Sequence, residues 1–213
     1  MSVGRLFIGN RRYSSWSLRG WLLVRLGGLE VTETLIPLSE GVTPALANAT
    51  PTGLVPYLEH DGARIWESLS IAEYAAEHAP ALWPADRVAR AHARSIAAEM
   101  HAGFRALRQA MPMNLCRSFP GRGRTPEVLA DVARIEAIWA EAGMDGPFLY
   151  GAEFGAADAM FAPVVTRFLT YGVDLSARAA SYCASVRAHP LVDEWYRAAA
   201  QEPAAWMLEK YET

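Results

Sequence analysis

A chain of 213 residues, 52% hydrophobic and 20% charged, has material for one sizeable domain or two small ones packed together, and its composition is globular rather than disordered. A formal net charge of −3 leaves no electrostatic footprint for nucleic acid or an anionic membrane. No apolar run reaches bilayer-spanning length and the first residues enter a strand pattern at once, so a cytoplasmic protein is expected.

The run Arg5-Leu6-Phe7-Ile8-Gly9 reads as a strand, and Gly20 to Gly27 as a helix ending in glycine. Between them stands Asn10-Arg11-Arg12-Tyr13-Ser14-Ser15-Trp16-Ser17-Leu18-Arg19, which places hydroxyls where a strand hands over to a helix. Unpaired N–H groups and the positive end of the helix dipole favour an anion there, although a serine at such a junction also serves as a helix cap. Glu30 to Ile36 alternates polar and apolar residues and predicts a second strand, parallel to the first through a right-handed crossover. Pro37 to Pro51 is a surface connection with one helical turn at Ala45 to Asn48.

Val55 to Glu59 reads as a strand interrupted by Pro56, and Asp61-Gly62 as a hairpin turn into Ala63 to Trp66. Proline cannot donate to the ladder, so Pro56 belongs at an edge, at the strand's start or in a cis turn, with trans at an edge the commoner case. Glu67-Ser68-Leu69-Ser70-Ile71 opens the next helix. The prolines between Ala79 and Asp86 mark a boundary, giving units at 1–79 and 87–213 joined by a linker at 80–86.

Beyond the linker the pattern is helical. Ile96, Met100, Phe104, Leu107 and Met111 predict one helix from Arg87 to Met111, and Leu129, Val132, Ile135 and Trp139 an inward face on a helix from Pro126 to Gly143. A helix follows from Ala156, which Pro163 is expected to bend, and two more cover Ala177 to Arg187 and Pro190 to Ala200. The basic stretch Arg117 to Arg124 is expected to be a solvated loop. Cys116 and Cys183 are far apart, and the histidines (His60, His78, His92, His101, His189) lack ligand spacing and are expected mostly on exposed helices or turns. No metal site is indicated.

The order of parts is the layout of an α/β thioredoxin-like domain followed by an all-α helical bundle. It resembles the cytosolic glutathione S-transferases over nearly the whole chain. The resemblance is carried by Ser14-Ser15-Trp16-Ser17-Leu18-Arg19, Gly53-Leu54-Val55-Pro56, Glu67-Ser68-Leu69-Ser70-Ile71-Ala72-Glu73-Tyr74 and Gly155-Ala156-Ala157-Asp158. The first of these resembles the serine-rich signature of the zeta class, among the serine-type enzymes. The resemblance implies a cis Val55-Pro56 bond, glutathione as cosubstrate held by Val55, Pro56, Glu67 and Ser68, and a homodimer. It also implies a hydroxyl that stabilises the glutathione thiolate. Ser14 is the first choice for that donor, Ser15 the second and Tyr13 a distant third.

Two positions depart from the pattern. Trp16 stands where the zeta signature has cysteine and narrows the site; Gly155 stands where the family has Ser or Thr, leaving Asp158 to serve the helix start as a folding residue. The second substrate, a small electrophile, is expected between the two units, near Arg11, Arg12, Tyr13, Met111, Met113 and Phe119, although the methionines and Phe104 also suit a core. The alternatives to a transferase are a glutathione-dependent cis-trans isomerase of the maleylacetoacetate type and a non-catalytic glutathione-fold binding protein.

Overall fold

The computed structural model describes residues 3–143 and 146–212. Strand β1 (Gly4–Ile8) leads through helix α1 (Ser15–Leu26) to strand β2 (Val31–Leu35), and the two strands pair in parallel as expected. Helix α2 (Pro44–Ala49) precedes the antiparallel pair β3 (Tyr57–His60) and β4 (Ala63–Trp66), and helix α3 (Ser68–His78) closes the α/β unit. The sheet order is β2-β1-β3-β4. Because successive residues of a strand face opposite ways, Leu6 and Ile8 enter the main core under α1 and α3, while Phe7 turns to a smaller cluster with Ile36, Leu46 and Tyr57.

Pro56 lies just before β3 and its bond to Val55 is cis; the trans edge placement is therefore corrected. This segment meets α1 at Gly20, where an added Cβ would lie 2.6 Å from the Cβ of Pro56. Only glycine lets the helix come so close.

A short 3-10 turn (Pro80–Leu82) leads to the helical half: α4 (Arg87–Ala102), α5 (Arg105–Ala110), α6 (Pro126–Glu141), α7 (Ala156–Tyr171), α8 (Ala177–Ala188) and α9 (Pro190–Ala200). Helix α7 is buried almost throughout and packs against both α1 and α4, so one continuous core runs through both halves. Its Pro163 does not interrupt the helix. Asp158 serves its first turn: the carboxylate accepts from the backbone N–H of Gly155 (2.9 Å) and Leu149 (3.0 Å) and from the Tyr182 hydroxyl (3.0 Å). Burial pushes its pKa up to about 6 despite those three donors.

Three expectations need correction. The single helix from Arg87 to Met111 is two helices, broken at Gly103 and at Phe104, whose φ of 60° is left-handed. The carbonyls freed at the end of α4 are taken by Arg108, which donates to Gly103 (2.8 Å), His101 (3.3 Å) and Met100. All five residues of the stripe are buried across the break, so spacing alone did not reveal it. On α6 the inward residue is Val128, which with Val132, Ile135 and Trp139 makes the better heptad series; Leu129 is 50% exposed. Of the histidines only His78 is exposed, and buried His60 hydrogen-bonds the Tyr74 hydroxyl.

Candidate functional site

The serine run lies where α1 begins. Ser14 is the N-cap, its Oγ accepting from the Ser17 N–H (3.2 Å) and donating to Ser17 Oγ (2.8 Å), which in turn accepts from the Gly9 N–H (2.9 Å). These hydroxyls tie the end of β1 to the start of α1. Ser15 is the first helical residue, and its Oγ accepts from Nη2 of Arg167 on α7 (3.2 Å). With a lone pair engaged by a cation, the Ser15 hydroxyl keeps its own proton available to donate.

Ser14 and Ser15 both line a cleft of about 700 Å³ between the α/β half and the helical half. Its α/β wall includes Tyr13, Trp16, Leu38, Ser39, Gly41 to Thr43 and Gly53 to Val55; the helical wall includes Arg108, Met113 and Arg167. A smaller cavity of about 230 Å³ shares Trp16, Leu54 and Val55 with the cleft and is bounded by Pro56, Trp66 and Glu67. Five of the six expected binding and donor residues, Ser14, Ser15, Val55, Pro56 and Glu67, thus line these two spaces, which share part of their walls.

Glu67 precedes α3 with φ 69° and ψ 127°, a conformation that costs a non-glycine residue on the order of 1–3 kcal/mol. Its carboxylate lies 3.5 Å from Nε2 of His101. Ser68 begins α3; it is fully buried, lines neither cavity, and its Oγ has no hydrogen-bond partner among the described residues. It makes no cap of the usual kind. The structure therefore does not bring Ser68 to either space with the other expected residues.

Tyr13 has its hydroxyl committed elsewhere, donating to the Glu212 carboxylate and accepting from the Leu208 N–H (3.3 Å). Of the residues expected beside the second substrate, Tyr13 and Met113 line the cleft, while Arg11, Arg12, Met111 and Phe119 do not. The backbone N–H groups of Arg11 and Arg12 are capped by Glu202. Arg117 pairs with Glu212, Arg124 with Asp174, and Arg122 lies over the Phe119 ring, so the basic loop is tied down outside the cleft.

Sequence reasoning missed two parts of the wall. The first is the chain's last segment, from which Leu208, Lys210 and Tyr211 line the cleft. The second is a set of arginines. Arg167 is 4% exposed and donates to the carbonyls of Met111 (2.9 Å) and Pro163 (3.2 Å) as well as to Ser15. Burial, then the charge of Arg108, lowers its pKa to about 9. Arg19 is fully buried, with Nε bonded to the Met160 carbonyl (2.8 Å) and both terminal nitrogens unpartnered among the described residues. Arg19 and Arg108 lie 4.7 and 4.8 Å from the Trp16 ring centroid, cation–π distances. A usable signal existed: Arg167 is the one charged residue between Met160 and Tyr171, in a run otherwise apolar or hydroxylic.

Relatives share this frame. A protein named IN2-1 homolog A from Oryza sativa subsp. japonica is 29% identical over 176 residues, covering 78% of this chain and 69% of its own. A probable maleylacetoacetate isomerase from Caenorhabditis elegans is 28% identical over 172 residues, covering 78% of this chain and 79% of its own. In fold, the chain is similar to a glutathione transferase homolog from Burkholderia GL BGR1, solved with bound glutathione, at a TM-score of 0.72 and 21% identity, over 94% of this chain and 100% of that one. Residues 13–78 match the model of the glutathione S-transferase N-terminal domain. Residues 87–198 match that of the C-terminal domain. With two halves of one family matched in order, the second alone across more than half its length, the chain belongs to the glutathione S-transferase family.

Proposed function

We propose that this chain is a serine-type glutathione transferase, nearest the zeta class, that attacks a small electrophile with an activated glutathione thiolate. The observation that carries the reading is the Ser15 hydroxyl, facing the cleft with its acceptor side bonded to Arg167. Bound glutathione supplies a thiol, which is protonated in neutral water at a pKa of ~8.5. The Ser15 hydroxyl donates to the sulfur and so favours the charged form, helped by the start of α1 and by the arginine it touches. Ser14, the first choice on resemblance, has its hydroxyl engaged with Ser17 and positions the run; the donor role passes to Ser15.

Val55 and Pro56 present the backbone before β3 to the tripeptide and Glu67 receives its ammonium, while Ser68, buried outside both cavities, stands behind them at the start of α3. Residues 1–79 then form the glutathione-binding unit and 87–213 the wall for the electrophile, with 80–86 between them. The protein works in the cytoplasm as a homodimer, a state that sedimentation at micromolar concentration tests.

A second reading, glutathione-dependent isomerisation of a maleylacetoacetate-type acid, is favoured by the 28% identity to the C. elegans protein of that printed name. Trp16 in place of the cysteine of the zeta signature counts against it. One titration tests the transferase reading: millimolar glutathione is expected to raise the melting temperature, and the bound thiol to absorb in the ultraviolet as thiolate at neutral pH. No stabilisation removes both enzyme readings and leaves a binding protein of the glutathione fold. Comparable rates on a maleyl diketo acid and on general electrophiles reverse the order of the two.

A further inference from the structure

The arginines of the cleft make no ion pair among the described residues, and the one carboxylate whose charge favours Arg108, Asp131, acts on it from beyond ion-pair distance. No carboxylate among the described residues lies within 4.0 Å of the guanidinium of Arg19, Arg108 or Arg167. Of the residues lining the cleft, Arg108, Arg167 and Lys210 are cationic and none is Asp or Glu. The chain as a whole is acidic, with a net charge of −3, so this concentration of positive charge is local.

Burying like charges together is costly unless something neutralises them. Each of the three guanidiniums is held below the ordinary arginine range, first by burial; Arg108 further disfavours the charge of both Arg19 and Arg167. Among the described residues, two terminal nitrogens of Arg19 are buried without partners, and Nη1 of Arg108 makes no hydrogen bond although Arg108 lines the cleft. Arg19 does not reach the cleft; it adds its charge through its place against Trp16.

We propose that Arg108 and Arg167, with Arg19 in support, form an anion subsite that receives a carboxylate carried by the electrophile. This rests on the transferase reading and names its substrate class. The residues assigned to the tripeptide come from the α/β half, from Ser14 to Glu67, whereas Arg108 and Arg167 stand on α5 and α7 of the opposite wall. The charge therefore faces the place of the second substrate. Arg167 bridges the two sites, because the nitrogen that bonds Ser15 belongs to the same guanidinium.

The test is calorimetric binding of para-nitrobenzoate and of neutral para-nitrobenzamide, each to the protein alone and to the protein saturated with S-methylglutathione. The acid is expected to bind about tenfold tighter than the amide, the scale of one charge-assisted hydrogen bond, and chloride to erode that ratio. Arg108→Gln is expected to bring the ratio towards one, and Arg108→Lys to retain part of it. Should Arg108→Gln fail to fold for want of its bonds to the end of α4, the chloride dependence of the wild-type ratio decides.

Turnover gives a second reading. The rate with monomethyl fumarate relative to dimethyl fumarate, each divided by its uncatalysed rate with glutathione, is expected to favour the charged ester. Equal affinity for acid and amide, or a ratio indifferent to chloride, overturns the subsite. A preference for the acid that vanishes once S-methylglutathione is bound assigns the arginines to the tripeptide and also overturns it. If glutathione itself neither binds nor stabilises while the acid preference persists, the transferase reading fails and the anion site stands.

Discussion

Nη2 of Arg167 reaches Ser15 Oγ at 3.2 Å, joining helix α7 to the first residue of α1 across 152 positions of sequence. The bond divides the labour between two adjacent serines. Ser14 is used by the fold, while Ser15 is oriented from the helical half with its proton free for the cleft. Ser15→Ala is expected to raise the pKa of bound glutathione by about one unit and to cut turnover below neutral pH by roughly tenfold. Ser14→Ala is expected instead to cost about 1 kcal/mol of stability as a lost cap. Thiolate absorbance against pH, with denaturant melts of both variants, checks the pair; the opposite pattern returns the donor role to Ser14.

Gly20 tests how the backbone at Val55-Pro56, proposed to meet the tripeptide, is held. A Cβ at this position would lie 2.6 and 2.7 Å from two ring atoms of Pro56, which cannot swing away as the end of a long side chain would. Gly20→Ala should destabilise the protein by about 1–3 kcal/mol, the usual cost of overpacking, and weaken glutathione binding in the same variant. Urea melts and a glutathione titration read the two effects.

Asp158 gives stability a pH dependence of unusual sign for an acid. Its carboxyl titrates at about 6 in the folded chain against ~4 in the unfolded one, so between those values the folded state holds a proton that the unfolded state has released. The group's contribution is greatest below about pH 4 and declines as pH rises to about pH 6. Relative to Asp158→Asn, the wild type is expected to lose about 3 kcal/mol across that window. Urea denaturation of both proteins at several pH values measures it.

Glu212 behaves in the opposite way. Burial alone would raise its pKa, but hydrogen bonds from Tyr13, Arg117 and Asn114 together outweigh burial and hold it below the usual carboxylate range. Its hold on the last segment is complete above the unfolded value of ~4.3 and is lost as pH falls through the depressed folded value. Glu212→Gln is expected to speed amide exchange at Leu208 and Tyr211 at neutral pH while leaving exchange around Trp139 unchanged. Exchange measured by mass spectrometry on peptides from the two regions decides.

The α/β half was legible because its signals are local. Alternation in Glu30 to Ile36, the Asp61-Gly62 turn and Glu67-Ser68 before an apolar helix each lie within a few residues, and the parallel pairing of β1 and β2 follows from chain order. The break at Gly103 and Phe104 was not legible, because hydrophobic spacing continues through it and the bonds that stabilise it come from Arg108 further along. In the site, Ser14, Ser15, Val55, Pro56 and Glu67 carry motif signals and do line the two spaces. Arg108 and Lys210 carry none, and Arg167 only its lone charge in an apolar run; that Arg108 and Arg167 meet at the cleft without an ion-pair partner among the described residues is a property of three-dimensional neighbours.

Tyr13 and Glu212, which meet 199 positions apart, bear on how such a protein can diverge. Leu208, Lys210 and Tyr211 build one wall of the cleft, yet all three lie beyond residue 198, outside both segments that match the family. Changes there can reshape what enters the cleft while every residue that marks the chain as a glutathione S-transferase stays as it is. Selectivity and membership are thus borne by different stretches of the same polypeptide.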